Sequence, residues 1–455
     1  MASSTGPALE QLLSQLPQDV AADVRLVEQR WGTMRFANGV IHQPHLERSR
    51  DVSLRVLTDG RLGTATTSDL SLGGIAALIA SAVATARVAP REPRFPGFPS
   101  PDGDRARGVA FSEATARLSP EDQVLLAQGA LEGAESAAPG SRVSGVVNVG
   151  SEQLTVANTS GRRGTTRRSV IQSSVLVERP EARPPVSGWS ESAHWRADRL
   201  DPEELGRAAA ARMPRDPPEP AKPGLYRTVL LGSAVSDLLY MLGYLGFGGH
   251  AEEEGWSCLK RHRGEALFPK ILTLEDDART PATLPQSIDF EGLAKRTTPL
   301  VSEGVVGEAV TDLVTAARLG RSPSGHGLPP EAPFGEWGPI PTRVLMKPGA
   351  ASVEDLVRDT RQGILVTRLH YVRVVDPGKS VITGMTRDGT YRIEHGEVAA
   401  PIRNLRFTES ILRVLRGLEA VGKARGCFAD ERGFSVVTCP PILSRSFRFT
   451  SSTLF

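Results

Sequence analysis

Gly363 to Thr408 reads GILVTRLHYVRVVDPGKSVITGMTRDGTYRIEHGEVAAPIRNLRFT, and its alternation decides the fold of the second half of the chain. Ile364, Val366 and Leu369 open an apolar strand. Asp388-Gly389 and His395-Gly396 stand where tight turns needing positive φ would close successive hairpins. The segment is therefore expected to fold back on itself as paired antiparallel strands. Upstream, Tyr226 to Leu231 reads as a strand and Ala234 to Leu245 as a helix, after which hairpins dominate to the C-terminus.

Before this block lies Pro214 to Gly224, PRDPPEPAKPG, which can form neither a helix nor an interior strand. A domain boundary belongs there. It separates an N-terminal α/β domain (1–215) from a β-rich C-terminal domain (225–455) through a linker at 216–224, and the whole reads as α+β. In the first domain, Gln11 to Val27 begins as an amphipathic helix, and Asn38-Gly39 and Asp59-Gly60 punctuate a strand meander. Asp69 to Arg87 is a helix of small and apolar residues covering one face of that sheet. Ser119-Pro120-Glu121-Asp122 combines an N-cap, a proline at the first helical position and first-turn acids, starting a helix to about Ser136. Arg142 to Val147, Gln153 to Asn158 and Ser169 to Glu178 read as strands, and Asp201-Pro202 starts another helix.

With 455 residues, 40% of them hydrophobic, the chain can bury a large core. Its 54 Lys and Arg stand against 52 Asp and Glu, a formal net charge of +2, so no global field draws it to nucleic acid or anionic lipid. Arg162-Arg163 with Arg167-Arg168, and Arg212 to Arg215, read as solvated loop charges. Three scattered cysteines, Cys258, Cys427 and Cys439, build no disulfide framework. No signal-like or membrane-spanning run is present, and a cytoplasmic protein is expected. No GxGxxG or GxxxxGK[ST] follows a strand, and Ser236 with Asp237 has no histidine at a readable position, so neither nucleotide binding nor serine hydrolysis is supported.

The wording GILVT, TGMTRDGTYRIEHGE, a proline and LRFT resembles the C-terminal domain of the TldD/PmbA family, modulator-of-gyrase-type proteins that pair metallopeptidase subunits with metal-free relatives. MRFANGVIHQ (Met34 to Gln43) and VSLRVLTDGRLGTATT (Val52 to Thr67), followed by an alanine-rich helical run to Arg87, are similar to the family's opening. The resemblance implies an α/β domain followed by a β domain shaped like an incomplete barrel. In catalytic members a helix early in the second domain carries HExxxH, whose histidines bind zinc while the glutamate works on the attacking water; a cysteine near the C-terminus is the third ligand. Such chemistry needs neutral imidazoles, a thiolate and one open position.

Here the corresponding helix is AVSDLLYMLGYLGFGGH, and anchoring on Gly255 and Gly264 puts Tyr240, Met241 and Leu245 where the resemblance implies histidine, glutamate and histidine. None can do that work, and no histidine lies between Leu225 and Gly249. Cys427 matches the family's cysteine by its spacing to Pro441, against the blander reading of a small semi-buried residue. HAEEEGWSCLKRH offers His250, Cys258 and His262, but at loop-like spacing; a charged surface segment is the simpler reading. His326, in SPSGHGLPP, reads as a cleft histidine or a turn cap. His370 and His395 read as strand-face and turn residues, and His42 and His45 as loop residues.

The resemblance thus implies a metal-free, PmbA/TldE-like subunit of a heterodimeric zinc peptidase. It would carry no cofactor of its own, zinc belonging to an HExxxH-containing partner, and would help enclose an extended peptide. Thr367, Arg368, Thr386, Arg387 and His326 are the candidates for substrate or subunit contact. Two other classes stay open: an autonomous hydrolase of a small amide or peptide-like biosynthetic metabolite, using Cys427 or a site including His250, and a peptide-binding scaffold without catalysis.

Overall fold

The computed structural model describes residues 5–101, 111–329, 334–430 and 432–453. The first half is one antiparallel sheet with helices on it. After α1 (Thr5–Ser14) come β1 (Ala21–Ala37), β2 (Val40–Thr58) and β3 (Arg61–Thr67), joined by the Asn38-Gly39 and Asp59-Gly60 turns, in which all four residues have positive φ. Helix α2 (Leu72–Val88) follows, then α3 (Glu113–Ala116), α4 (Pro120–Ala137), β4 (Arg142–Asn158), β5 (Arg163–Arg179), β6 (Val186–His194) and α5 (Pro202–Arg212). The strand order is β3-β2-β1-β4-β5-β6, which leaves β6 at the edge facing the rest of the molecule.

Local chemistry explains the helices. Ser119 and Asp122 form a reciprocal capping box at α4, and Asp201 caps α5 through the Glu204 N–H. These two helices pack closely through alanines, and a Cβ on Gly133 would stand 2.0 Å from the Glu203 carbonyl oxygen, so glycine is required at that crossing.

The second half starts with β7 (Gly224–Leu230) and α6 (Gly232–Phe247), then α7 (Gly249–Glu253), β8 (Leu274–Asp276), β9 (Thr298–Ser302), β10 (Val305–Val306), α8 (Leu313–Leu319), α9 (Phe334–Trp337), β11 (Arg343–Met346) and α10 (Val353–Arg358). Strands β12 (Gln362–Asp376), β13 (Val381–Glu394), β14 (Glu397–Pro401) and β15 (Leu405–Ser410) precede α11 (Ile411–Arg416), β16 (Leu418–Val421), β17 (Gly426–Ala429), β18 (Val436–Cys439) and β19 (Ile442–Ser452). One sheet runs β12-β7-β19-β15-β13-β14; because β12 also pairs with β13, its path closes on itself. A second sheet runs β10-β9-β8-β11-β18-β17. Most pairings are antiparallel, with β7–β12 and β11–β18 the parallel exceptions. The α+β expectation holds. Helix α6 packs between the two sheets, and its Leu238, Leu239, Leu242 and Leu245 join Phe407, Phe447 and Phe449 in the largest core.

Several expectations need correction. His395-Gly396 does close the β13–β14 hairpin, but Asp388-Gly389, with φ of 59° and 114°, is a bulge inside β13. The Thr367 hydroxyl holds it open by donating to the Asp388 and Gly389 carbonyls at 2.9 and 2.8 Å, and the β12–β13 turn falls instead at Pro377–Lys379. The N-terminal helix ends at Ser14, and Ala21 to Val27 already belong to β1, where a buried run pairs with both β2 and β4. Arg142 to Asn158 is one strand. His42 and His45 lie on β2, not in a loop. Arg162 and Arg168 are buried, the latter gripping Glu152 through two bonds of 2.8 and 2.9 Å, so neither is a solvated loop charge.

Candidate functional site

Helix periodicity splits α6 into two faces. Ala234, Val235, Leu238, Leu242 and Leu245 are buried in the core, while Ser233, Ser236, Asp237, Tyr240 and Met241 line a cavity of about 360 Å³. The opposite wall is β12 from Arg368 to Arg373; Phe428, Ala429, Asp430, Ser435 and Val437 form the end, and Glu191 of β6 reaches in from the first sheet.

The way Glu191 arrives follows from strand alternation. Ser187, Trp189 and Glu191 sit on one face of β6, and each meets the second half of the chain. The Ser187 hydroxyl donates to Asp388 Oδ1 at 2.7 Å. The Trp189 ring lies 3.8 Å below the Arg368 guanidinium, which also bonds Asp388 Oδ2 at 2.7 Å. Glu191 Oε1 accepts from the Ser233 hydroxyl at the start of α6. The β13 bulge thus has a purpose in packing: it aims the buried Asp388 carboxylate at both Ser187 and Arg368.

The cavity's electrostatics are uneven. Burial, reinforced by Glu191, pushes the Asp237 carboxyl up to about 7 against the pull of Arg368. Burial, with Asp430 and Tyr244 nearby, also raises the Tyr240 phenol. The His370 imidazole is held below its ordinary value by burial and by Arg387 and Arg368. Tyr371, next to it, is 65% exposed, has φ of 53° and stacks edge-on against His370 with centroids 4.5 Å apart.

The sequence-derived candidates separate accordingly. Tyr240, Met241 and Arg368 line the cavity, whereas Leu245 is fully buried in the core, so that position of the implied ligand triplet does not face it. Thr367 and Thr386 are buried structural hydroxyls; Thr386 Oγ1 accepts from the Leu405 N–H at 2.9 Å. Arg387 is partly exposed, with Nε 3.5 Å from Asp388. His326 lines no cleft: it is buried with Nε2 3.0 Å from Asp276 Oδ1 and Nδ1 2.9 Å from the Ser324 hydroxyl. Cys427, on β17, packs with Trp31, Val170 and Val436, and burial raises its thiol to about 11. His250 sits on α7, 3.9 Å from Glu253, away from the cavity. Its segment is no mere charged surface, since Glu252 is buried and bonds Arg263 and Arg321. Sequence reading missed Glu191 and Asp430 entirely; neither belongs to a motif, and only the fold brings them to α6.

A zinc site of two imidazoles and a thiolate does not fit these residues. The α6 face offers hydroxyl, phenol, thioether and one carboxylate, and among the described residues no three His, Cys, Asp or Glu side chains converge to hold a metal. Among the described residues no helix is long and apolar enough to cross a membrane.

Fold and site together define an α+β cleft protein in which the edge strand of one sheet closes a cavity on the other half. The chain belongs to the PmbA/TldD metallopeptidase family: residues 22–86 match PmbA/TldA metallopeptidase domain 1, 113–213 the central domain and 223–451 the C-terminal domain. It is similar to a metalloprotease of Methanothermobacter thermautotrophicus, 29% identical over 238 residues, which cover 50% of this chain and 49% of the relative. It is also similar to a zinc metalloprotease TldD homolog of Saccharolobus solfataricus, 26% identical over 156 residues, covering 32% and 33%. The chain therefore spans half or less of the length of these curated relatives. Among solved structures, TldE from Thermococcus kodakarensis superposes with a TM-score of 0.87 at 18% identity, covering 97% of this chain and 100% of that one. A putative modulator of DNA gyrase from Thermotoga maritima gives 0.86 at 20% identity, covering 98% and 100%. At these identities the structural likeness shows the fold.

Proposed function

We propose that this chain is the metal-free subunit of a heterodimeric TldD/PmbA-type peptidase, contributing one wall of the cleft while an HExxxH-containing relative supplies zinc and cleavage. The observation that carries the reading is the cavity face of α6, where Ser236, Asp237, Tyr240 and Met241 stand in place of a histidine-rich ligand set. A second feature supports a peptide as the occupant. Strand β12 pairs with β7 only at Ile364 to Val366, so from Arg368 onward its paired side is the one facing β13. Its other edge borders the cavity, where an extended peptide can add as a strand through main-chain hydrogen bonds. The reading places the chain in the cytoplasm, in keeping with three free thiols.

The test is co-expression with an HExxxH-containing family member from the same genome, followed by size-exclusion chromatography, elemental zinc analysis and peptide cleavage. The expected result is a stable complex with one zinc per pair and near-zero zinc on this chain alone. Cleavage should appear only in the complex and vanish when the partner's HExxxH glutamate is replaced. One zinc per isolated chain, lost on replacing Cys427 or His250, or turnover by this chain alone, would overturn the reading.

A further inference from the structure

The carboxylates of the cavity are not equally satisfied. Asp430 is committed to its own loop, accepting the Phe434 and Ser435 N–H groups at 2.7 and 2.9 Å. Glu191 spends one oxygen on Ser233. Asp237 has no hydrogen-bond or ion-pair partner among the described residues, and the neighbouring Ser236 hydroxyl turns away to the Ser233 carbonyl at 2.7 Å. Of the two arginines that line the cavity, Arg368 is fixed between Asp388 and Trp189, and Arg373 donates to the Val372 carbonyl and lies over the Tyr371 ring.

A half-buried carboxylate left without a partner costs free energy that either a proton or an external cation can relieve. The space before it is at the small end of ligand pockets, suited to one side chain, and the rings of Tyr240 and Phe428 give it aromatic walls that favour a cation. We propose that the cavity between α6, β12 and Glu191 is a pocket for a positively charged nitrogen group of an extended peptide. That group is either a lysine or arginine side chain or a free amino terminus, with Asp237 and Glu191 as its counter-ions. The proposal rests on the reading of the cleft as peptide-binding and adds the substrate class to it. An acidic residue at the same position meets Asp237 and Glu191 with like charge and is rejected.

The test uses the full chain and fluorescence anisotropy of heptapeptides bearing a C-terminal fluorophore. Three are acetyl-capped and differ only at the central residue: lysine, norleucine or glutamate. A fourth carries norleucine and an uncapped amino terminus. The capped lysine peptide, the uncapped peptide, or both should bind about tenfold more tightly than capped norleucine, the worth of one partly desolvated ion pair; which of them does identifies the source of the charge. The glutamate peptide should bind most weakly. Asp237→Asn and Glu191→Gln, each confirmed as folded by circular dichroism, should collapse the ratio between charged and neutral peptides, a readout that a general loss of structure does not mimic. Equal affinity for all peptides, or a charge preference that survives Asp237→Asn, would overturn the cation pocket while leaving peptide binding intact. Absence of binding by every peptide, to this chain and to its complex with the HExxxH relative, would remove the peptide reading and the pocket with it.

Discussion

Arg55 and Glu191 both leave the first sheet to meet the second half of the chain, yet one lands among matched charges and the other at the rim of a void. Arg55 bonds Asp23 at 2.6 Å and Glu291 at 2.9 Å, Asp23 also takes Arg25 at 2.9 Å, and Glu291 accepts the Leu313 N–H at 2.8 Å. Close by, Asp276 accepts two backbone N–H groups at 2.7 Å, with Lys295 and His326 at 3.5 and 3.0 Å. Burial opposes ionisation of Asp276, but Lys295 and His326 overcome it and hold the carboxyl far below its usual range. At this junction the charges pair inside the protein and fasten the two halves, although burial, with Asp312 and Asp289 close by, still pushes the Glu291 carboxyl up to about 8 against the pull of Arg55. In the cavity Asp237 has no such partner among the described residues, and it is this missing partner, not the raised carboxyl it shares with Glu291, that sets the two sites apart. Buried charge alone does not mark function; buried charge lacking an internal partner is the more telling sign.

The strongest way to break the contrast is Arg55→Met, which strands Asp23 and Glu291 without their shared cation. A loss of about 3–5 kcal/mol is expected in guanidinium unfolding, with the far-UV spectrum retained below the transition. If stability changes by less than a tenth of that, the junction is not the fastener described. Arg368→Met comes next. It removes the Asp388 bond and the stacking on Trp189, and a cost of about 1–2 kcal/mol is expected, with Trp189 fluorescence shifting to report the loosened contact.

Asp237→Asn should move the other way. The folded carboxyl titrates near 7 and the unfolded one at about 3.9, so unfolding releases a proton between those values. The native state is thereby progressively destabilised as pH rises from about 4 to 7, after which the penalty is constant. Asparagine lacks this penalty. Thermal unfolding should show the variant equal to the parent near pH 4 and more stable at pH 8 by about 1 kcal/mol, discounted for partial exposure; a variant less stable at pH 8 would place a hidden partner on Asp237. The smallest effect belongs to Cys427, whose thiol titrates near 11. Mass spectrometry after iodoacetamide at pH 7.5 should find it almost unmodified in the native protein and fully modified in denaturant.

Much of the fold was legible because it is written in local chemistry. The turns at Asn38-Gly39, Asp59-Gly60 and His395-Gly396 and the caps at Ser119 and Asp201 all lie where their residue types require. Asp388-Gly389 misled for an instructive reason: positive φ serves a hairpin turn or a bulge equally, and a distant hydroxyl, Thr367, chose between them. For the site, α6 and its Tyr240 and Met241 were readable from the helix, but which face met the cavity was set by the surrounding sheets. Glu191 was out of reach altogether, since nothing near residue 191 signals a helix that begins at Gly232. His326, read as a cleft histidine or a turn cap, stands nearer the second: Nδ1 meets the Ser324 hydroxyl within its own turn, while Nε2 reaches a buried aspartate that no local signal announced.

The cavity walls come from Glu191, α6, β12 and the strands reaching Val437, which has a consequence for synthesis on the ribosome. At about 5–20 residues per second, tens of seconds separate the emergence of Glu191 from that of Val437. From its own synthesis until Val437 emerges, Asp237 stays in water, ionised and unenclosed. The pocket proposed above is thus completed only when the β17–β18 wall joins α6 and β12, some two hundred residues after Asp237 is made.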